Sequence, residues 1–205
     1  MRNILAIAIA TVGLTACTSV TNSNPPRTAG EELLISKAAE QATDNLELDV
    51  PPGIKLFLDA SYFDGYDSKY AIGTIRDRLM RRGAHLVDKK DDAAVVLEIR
   101  SGALSIDEHS MLIGIPGFNV PIPLAGALPF PEIALYKKDV RAGVAKLAAT
   151  GYDPKTGALI TTSDPQFGFS QKTKKVVLIF FSSTTNDTVP PGAPVDGAPD
   201  APDSN

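Results

Sequence analysis

Apolar and polar positions alternate in two periods along the chain, and the switches between them mark the elements. Thr28-Ala29-Gly30-Glu31 carries the residues of a capping box, in which a hydroxyl and a carboxylate each satisfy a backbone N–H at a helix start. Leu33, Leu34, Ala38 and Ala42 follow at helical spacing, so a helix is predicted over about 29–43. Asp49-Val50-Pro51-Pro52-Gly53 breaks the chain, and Ile54, Leu56 and Leu58 then alternate along a strand. A second helix is expected from a Ser68 cap, with Ile72, Ile75, Leu79 and Met80 as its apolar stripe and Gly83 as its stop. A short strand at Ala84 to Asp88, a charged turn at Lys89 to Asp92 and a buried strand from Ala93 to Ile99, continuing toward Ile106, complete the first half.

In the second half, Ala134 to Thr150 alternates loosely around Gly143, which suggests a long bent or bulged strand. Tyr152-Asp153-Pro154-Lys155-Thr156-Gly157 has turn chemistry and joins it to a hairpin partner at Ala158 to Thr162. Lys174 to Ser182, with its run Val176 to Phe181, is expected to be the last strand and a central one. The fold class is therefore α+β: a mainly antiparallel or mixed sheet with one or two packed helices, a strand-helix-strand-strand core, then a hairpin and a final strand.

One segment fits neither period. From His109 to Pro131 the chain has no Asp, Glu, Lys or Arg. Its length suits a membrane-spanning helix. Pro116, Pro121, Pro123 and Pro129 exclude that, since each removes a donor and clashes with the preceding turn at about 3 kcal/mol or more. An apolar loop or irregular hairpin is expected over 109–131, with Met111, Leu112, Ile113, Ile115, Phe118, Val120, Ile122 and Leu124 as the candidate contact residues. Three covers are open to it: its own domain, another copy of the chain, or lipid, the last requiring backbone pairing across subunits.

The N-terminus changes the meaning of the only cysteine. Arg2, an apolar run from Ile4 to Leu14 and then Leu14-Thr15-Ala16-Cys17 read as a secretory signal over 1–16, too short to span a bilayer. Leu14, Thr15, Ala16 and Cys17 resemble the bacterial lipobox, which implies cleavage before Cys17 and acylation of its sulfur and new amine. Several acyl chains give stable attachment where one gives marginal binding. Thr18 replaces the aspartate of inner-membrane retention, so the outer membrane is the expected location, facing the periplasm or the cell surface. Residues 17–27 read as a flexible tether and 28–185 as one domain. Residues 186–205, with five prolines and four aspartates, read as a disordered acidic tail.

Composition narrows the chemistry. The chain has 20 basic and 24 acidic residues, a formal net charge of -4, which gives no basis for wrapping nucleic acid. One cysteine and two histidines preclude the usual zinc clusters, and no phosphate loop or dinucleotide fingerprint is present. Neither a Gly-x-Ser-x-Gly elbow nor a Cys-His pair occurs. His109 reads as a solvated residue at a loop edge and His85 as a half-exposed strand residue. Asp59, Asp64 and Asp67 read as a solvated turn capping a helix. No catalytic, cofactor or metal site is expected.

Ile54 to Asp59, then Arg81-Arg82-Gly83-Ala84-His85-Leu86-Val87, then Asp91-Asp92-Ala93-Ala94-Val95-Val96-Leu97-Glu98-Ile99 form a pattern over about 50–106. It resembles Gram-negative outer-membrane lipoproteins, among them the surface-exclusion lipoprotein of conjugative plasmids and the curli secretion lipoprotein. The resemblance implies an envelope lipoprotein and transfers no functional residue. The expectation is a non-catalytic lipoprotein, anchored through Cys17, that acts by contact with an envelope protein partner or as a homo-oligomer. A lipid- or glycan-binding module using 111–130 is the alternative reading, and an unrecognised hydrolase the third.

Overall fold

The computed structural model describes residues 27–122, 126–178 and 180–189. Cys17, the lipobox, Leu124 and nearly all of the proposed tether and tail lie outside the described residues.

Helix α1 (Ala29–Asp44) starts on the expected capping box: Thr28 Oγ1 accepts the Glu31 N–H, and the Glu31 carboxylate accepts the Thr28 N–H at 2.9 Å. There follow β1 (Lys55–Tyr62), α2 (Ser68–Arg81), β2 (His85–Leu86), a 3-10 turn at Lys90–Asp92, β3 (Val95–Ile115), β4 (Phe118–Ile122), β5 (Gly126–Phe130), β6 (Ile133–Tyr152), β7 (Leu159–Val177) and β8 (Phe181–Asn186). The main sheet has six strands in the order β2-β1-β3-β6-β7-β8. β1 runs parallel to β2 and β3, and every other pair is antiparallel. β4 and β5 form a separate hairpin sheet. The fold is α+β, mostly sheet, with both helices in one core cluster.

That cluster joins Ile35, Ala38 and Ala42 of α1 and Ala71, Ile75 and Leu79 of α2 to Leu56, Leu97, Ile99, Leu104, Ala145, Leu147 and Ala149 of the sheet. Small residues dominate the α1 face because the helix lies close to the strands. A Cβ on Gly143 of β6 would collide with the Leu34 carbonyl oxygen, and one on Gly168 of β7 would collide with the Ala38 carbonyl and lie 2.6 Å from the Ala42 nitrogen. Gly143 is thus a point of helix approach within a regular ladder, opposite Ser170, where the sequence suggested a bend. The same approach turns Ile35 and Ala39 inward and leaves Leu33, placed in the stripe by spacing, 40% exposed.

β8 pairs only with Lys172–Val177, so the edge of β7 before it would present unpaired backbone. Helix α1 supplies the partners. Gln41 Oε1 accepts the Phe169 N–H at 3.2 Å and Asn45 Nδ2 donates to the Phe167 carbonyl at 3.1 Å, while the side chain of Ser170 donates to the Leu34 carbonyl of α1 at 2.6 Å.

Four expectations are corrected. Helix α2 is capped by Asp67 and not Ser68; Asp67 sits at φ 55° and makes no side-chain cap bond. Its buried row is Ala71, Ile75 and Leu79, while Met80 is exposed. The last strand does not run from Lys174 to Ser182: β7 extends from Leu159 to Val177, and the chain reverses around Leu178, at φ 50°, into the edge strand β8. β8 then continues to Asn186, and the Asp187 carboxylate accepts the Gln171 N–H at 2.8 Å, so the domain passes the expected boundary at 185. The turn between β6 and β7 is as expected: Asp153 Oδ1 accepts the Lys155 N–H at 2.7 Å and the Thr156 N–H at 3.1 Å, bonds that hold its carboxyl below the ordinary aspartate value, and Gly157 takes φ 71°.

Gly168→Ala should lower unfolding stability by about 1–3 kcal/mol, the usual effect of overpacking a tight contact. Gly73→Ala, in α2 with open space around it, should raise stability by about 0.5–1 kcal/mol. Urea denaturation of the two variants against wild type measures both.

Candidate functional site

β1 leaves β3 at the Tyr62–Arg100 pair, and Glu31, in the first turn of α1, reaches out to Arg141. Beyond those points β3, β6, β7 and β8 continue together as a four-stranded arm. Strand alternation gives the arm two faces. On the helix side the rows read Glu108–Arg141–Lys172, Ser110–Asp139–Lys174 and Leu112–Lys137–Val176. On the other side they read His109–Val140–Thr173, Met111–Lys138–Lys175 and Ile113–Tyr136–Val177, the last extended by Phe181 of β8.

The helix-side face is a polar lattice. Arg141 pairs with Glu108 at 2.8 Å and with Glu31, in the first turn of α1, at 3.7 Å. Ser110 Oγ donates to Asp139 at 2.6 Å, and Lys137 bonds Glu132 at 3.0 Å, which raises the lysine pKa. These pairs are largely solvated, so each contributes at most about 1 kcal/mol. Among them, the Arg141–Glu31 pair ties the arm's root to α1.

The opposite face and the tip are apolar and uncovered. Met111, Ile113, Ile115, Phe118, Val120 and Ile122 are 40–54% exposed. Of the loop and the irregular hairpin expected over 109–131, the hairpin forms, and it extends outward from the domain: Met111 to Ile115 finish β3, and Phe118 to Ile122 form β4, paired with β5. Leu112 faces the polar side with Lys137 and Val176. In the tip hairpin Phe118 stacks on Phe130 with ring centroids 4.9 Å apart, and Val120 lies opposite Leu128. Leu128 and Phe130 of β5, with Tyr136, Val177 and Phe181, join this surface although their own local sequence does not mark them, because register across four strands brings them together. Phe181 is 70% exposed. Both edges of the arm are open: among the described residues no strand pairs with the outer side of β3 beyond Arg100, nor with the outer side of β8.

The polar candidates do not converge. His109 is exposed mid-strand on the arm opposite Val140, not at a loop edge, and His85 is exposed in the edge strand β2. Asp59 Oδ1 accepts from the hydroxyl of Ser61 at 2.5 Å and from its N–H, and these bonds lower its pKa. Asp64 accepts the Gly65 N–H, and Ser101 Oγ donates to the Asp64 carbonyl. No group of three His, Cys, Asp or Glu suited to a metal occurs among the described residues. No helix among them is long and apolar enough to cross a membrane.

Residues 11–177 match a family of unknown function (DUF6655). The chain belongs to that family. The DUF6655 match begins within the apolar N-terminal run and ends with β7, so it takes in Leu14 to Cys17, both helices and three strands of the arm. No curated protein matches the chain.

Because the arm's apolar side chains are exposed, Ile113→Ser should change stability by no more than about 0.5 kcal/mol, whereas Leu97→Ala in the core should cost about 2–5 kcal/mol. Thermal or urea unfolding of the two variants separates a surface built for contact from one that supports the fold.

Proposed function

We propose that the protein is a non-catalytic envelope lipoprotein, held at the outer membrane by acylated Cys17, that works by protein contact and associates with further copies of itself through the arm. One observation carries this reading: an arm with an exposed apolar face also has two unpaired strand edges, β3 on one side and β8 on the other. Exposed edges with apolar side chains are costly to leave open, and proteins normally cover or blunt them. Within one copy the strands alternate in direction from β3 to β8, so β8 of one copy set beside β3 of the next continues the same antiparallel pattern. A head-to-tail contact of this kind closes into a ring when its rotation permits.

Detergent-extracted, acylated protein should run as an oligomer in native mass measurement, and Met111→Ser, Ile113→Ser and Phe181→Ser combined should return it to monomer. A strict wild-type monomer at all concentrations sinks the association. Separately, Cys17→Ala should move the protein from the membrane to the soluble fraction, and retention of that variant in the membrane would refute the anchor.

A further inference from the structure

The direction of α1 relates the anchor to the arm. Asn45, at its end, bonds Phe167; Leu34 bonds Ser170; and Glu31, in its first turn, reaches Arg141. Since β7 runs from Phe167 toward the arm's end at Val177, the N-terminus of α1 points along the arm, and the chain before Thr28 departs from the arm's root. Cys17 precedes Arg27 by ten residues, which span at most about 33–36 Å. From Glu108, level with that root, the arm's ladder rises seven residues to Ile115, about 23 Å. An acylated Cys17 therefore has enough chain to lie level with Ile115, the end of β3, from which the tip hairpin starts.

Charge is distributed along the same axis. Lys138 and Lys175 sit directly opposite each other on the open face, and neither side chain has an ion pair among the described residues. Like charges facing each other across strands are unfavourable. The next row outward is Ile113–Tyr136–Val177–Phe181; beyond it Glu132 is neutralised by Lys137 at 3.0 Å, and the tip hairpin itself carries no charged residue. A cationic row followed by an aromatic and aliphatic one is the order met on passing from phosphates into the acyl boundary of an anionic membrane.

We propose that the arm's tip is a second membrane contact on the anchor's side, with Phe118, Phe130 and the Ile113–Phe181 row in the interfacial layer and Lys138 and Lys175 at the level of lipid phosphates. The proposal takes its geometry from the lipidation of Cys17 proposed above. The contact is interfacial, not transbilayer, for a single copy, because the open edges of β4 and β5 would leave backbone groups unpaired in hydrocarbon.

The chain contains no tryptophan, so Phe118→Trp introduces a single fluorophore at the tip and Leu159→Trp one at the far end of β7. Acylated full-length protein is placed in vesicles of phosphatidylethanolamine and phosphatidylglycerol, three to one. The expected result is a blue-shifted Phe118→Trp emission quenched by brominated lipid, with Leu159→Trp unquenched. No quenching at Phe118→Trp overturns the proposal, as does a shift that appears equally on concentrating the protein without vesicles, which would assign the tip to a second copy. The same fluorophore in the Cys17→Ala protein, with vesicles added, decides the tip contact even if the anchor reading fails. In that soluble form Lys138→Gln and Lys175→Gln should each reduce partition into these vesicles roughly fivefold and leave partition into pure phosphatidylcholine unchanged; undiminished partition overturns the phosphate placement.

Discussion

The architecture depends on how closely the backbone of α1 can approach β6 and β7. Gly143 and Gly168 leave no side chain between helix and sheet at two points, and Ala38, Ala39 and Ala42 answer them with small side chains. This proximity lets Ser170, Gln41 and Asn45 bridge helix and strand. It satisfies two backbone groups on an otherwise open strand edge, and it points the N-terminus of α1 along the arm. A larger residue at Gly168 would push the helix out and separate those groups together.

The sheet does two jobs along its length. Near β1 and the helices, one face is core, with Leu97, Ile99, Leu147 and Ala149 fully buried. Farther out the same strands continue with no helix above them, and their inward rows change from aliphatic to the Glu108–Arg141 and Ser110–Asp139 pairs. The apolar character moves to the reverse face. The domain folds with one side of its sheet and presents the other, and the change of side occurs near Arg141.

Local signals were the legible part of the sequence. The capping box at Thr28, the strand at Leu56, the helix around Ile75 and the Asp153 turn are each fixed by residues within a few positions of one another, and they form where expected. The β7–β8 reversal was not legible, because it lacks the Gly, Pro, Asn or Asp that usually permits a turn and uses Leu178 at positive φ within an aliphatic run. The close approach at Gly143 was not legible for a related reason: a glycine inside a strand marks either a bend or a close neighbour, and only the distant helix decides which. The apolar stretch from His109 to Pro131 was found by composition alone. Its partners Tyr136, Val177 and Phe181 come from three other strands, and no local pattern ties them to it.

The arm's construction also determines what kinds of length variation it can absorb. β3 and β6 pair as one continuous ladder from Glu108–Arg141 to Ile113–Tyr136, nested around the tip hairpin. Adding or removing two residues in each strand preserves every inside-outside assignment and moves the tip by about 7 Å, whereas a one-residue change in each would exchange the charged and apolar faces. The arm therefore behaves as a ruler graduated in steps of two, and its length can change without altering the folded body.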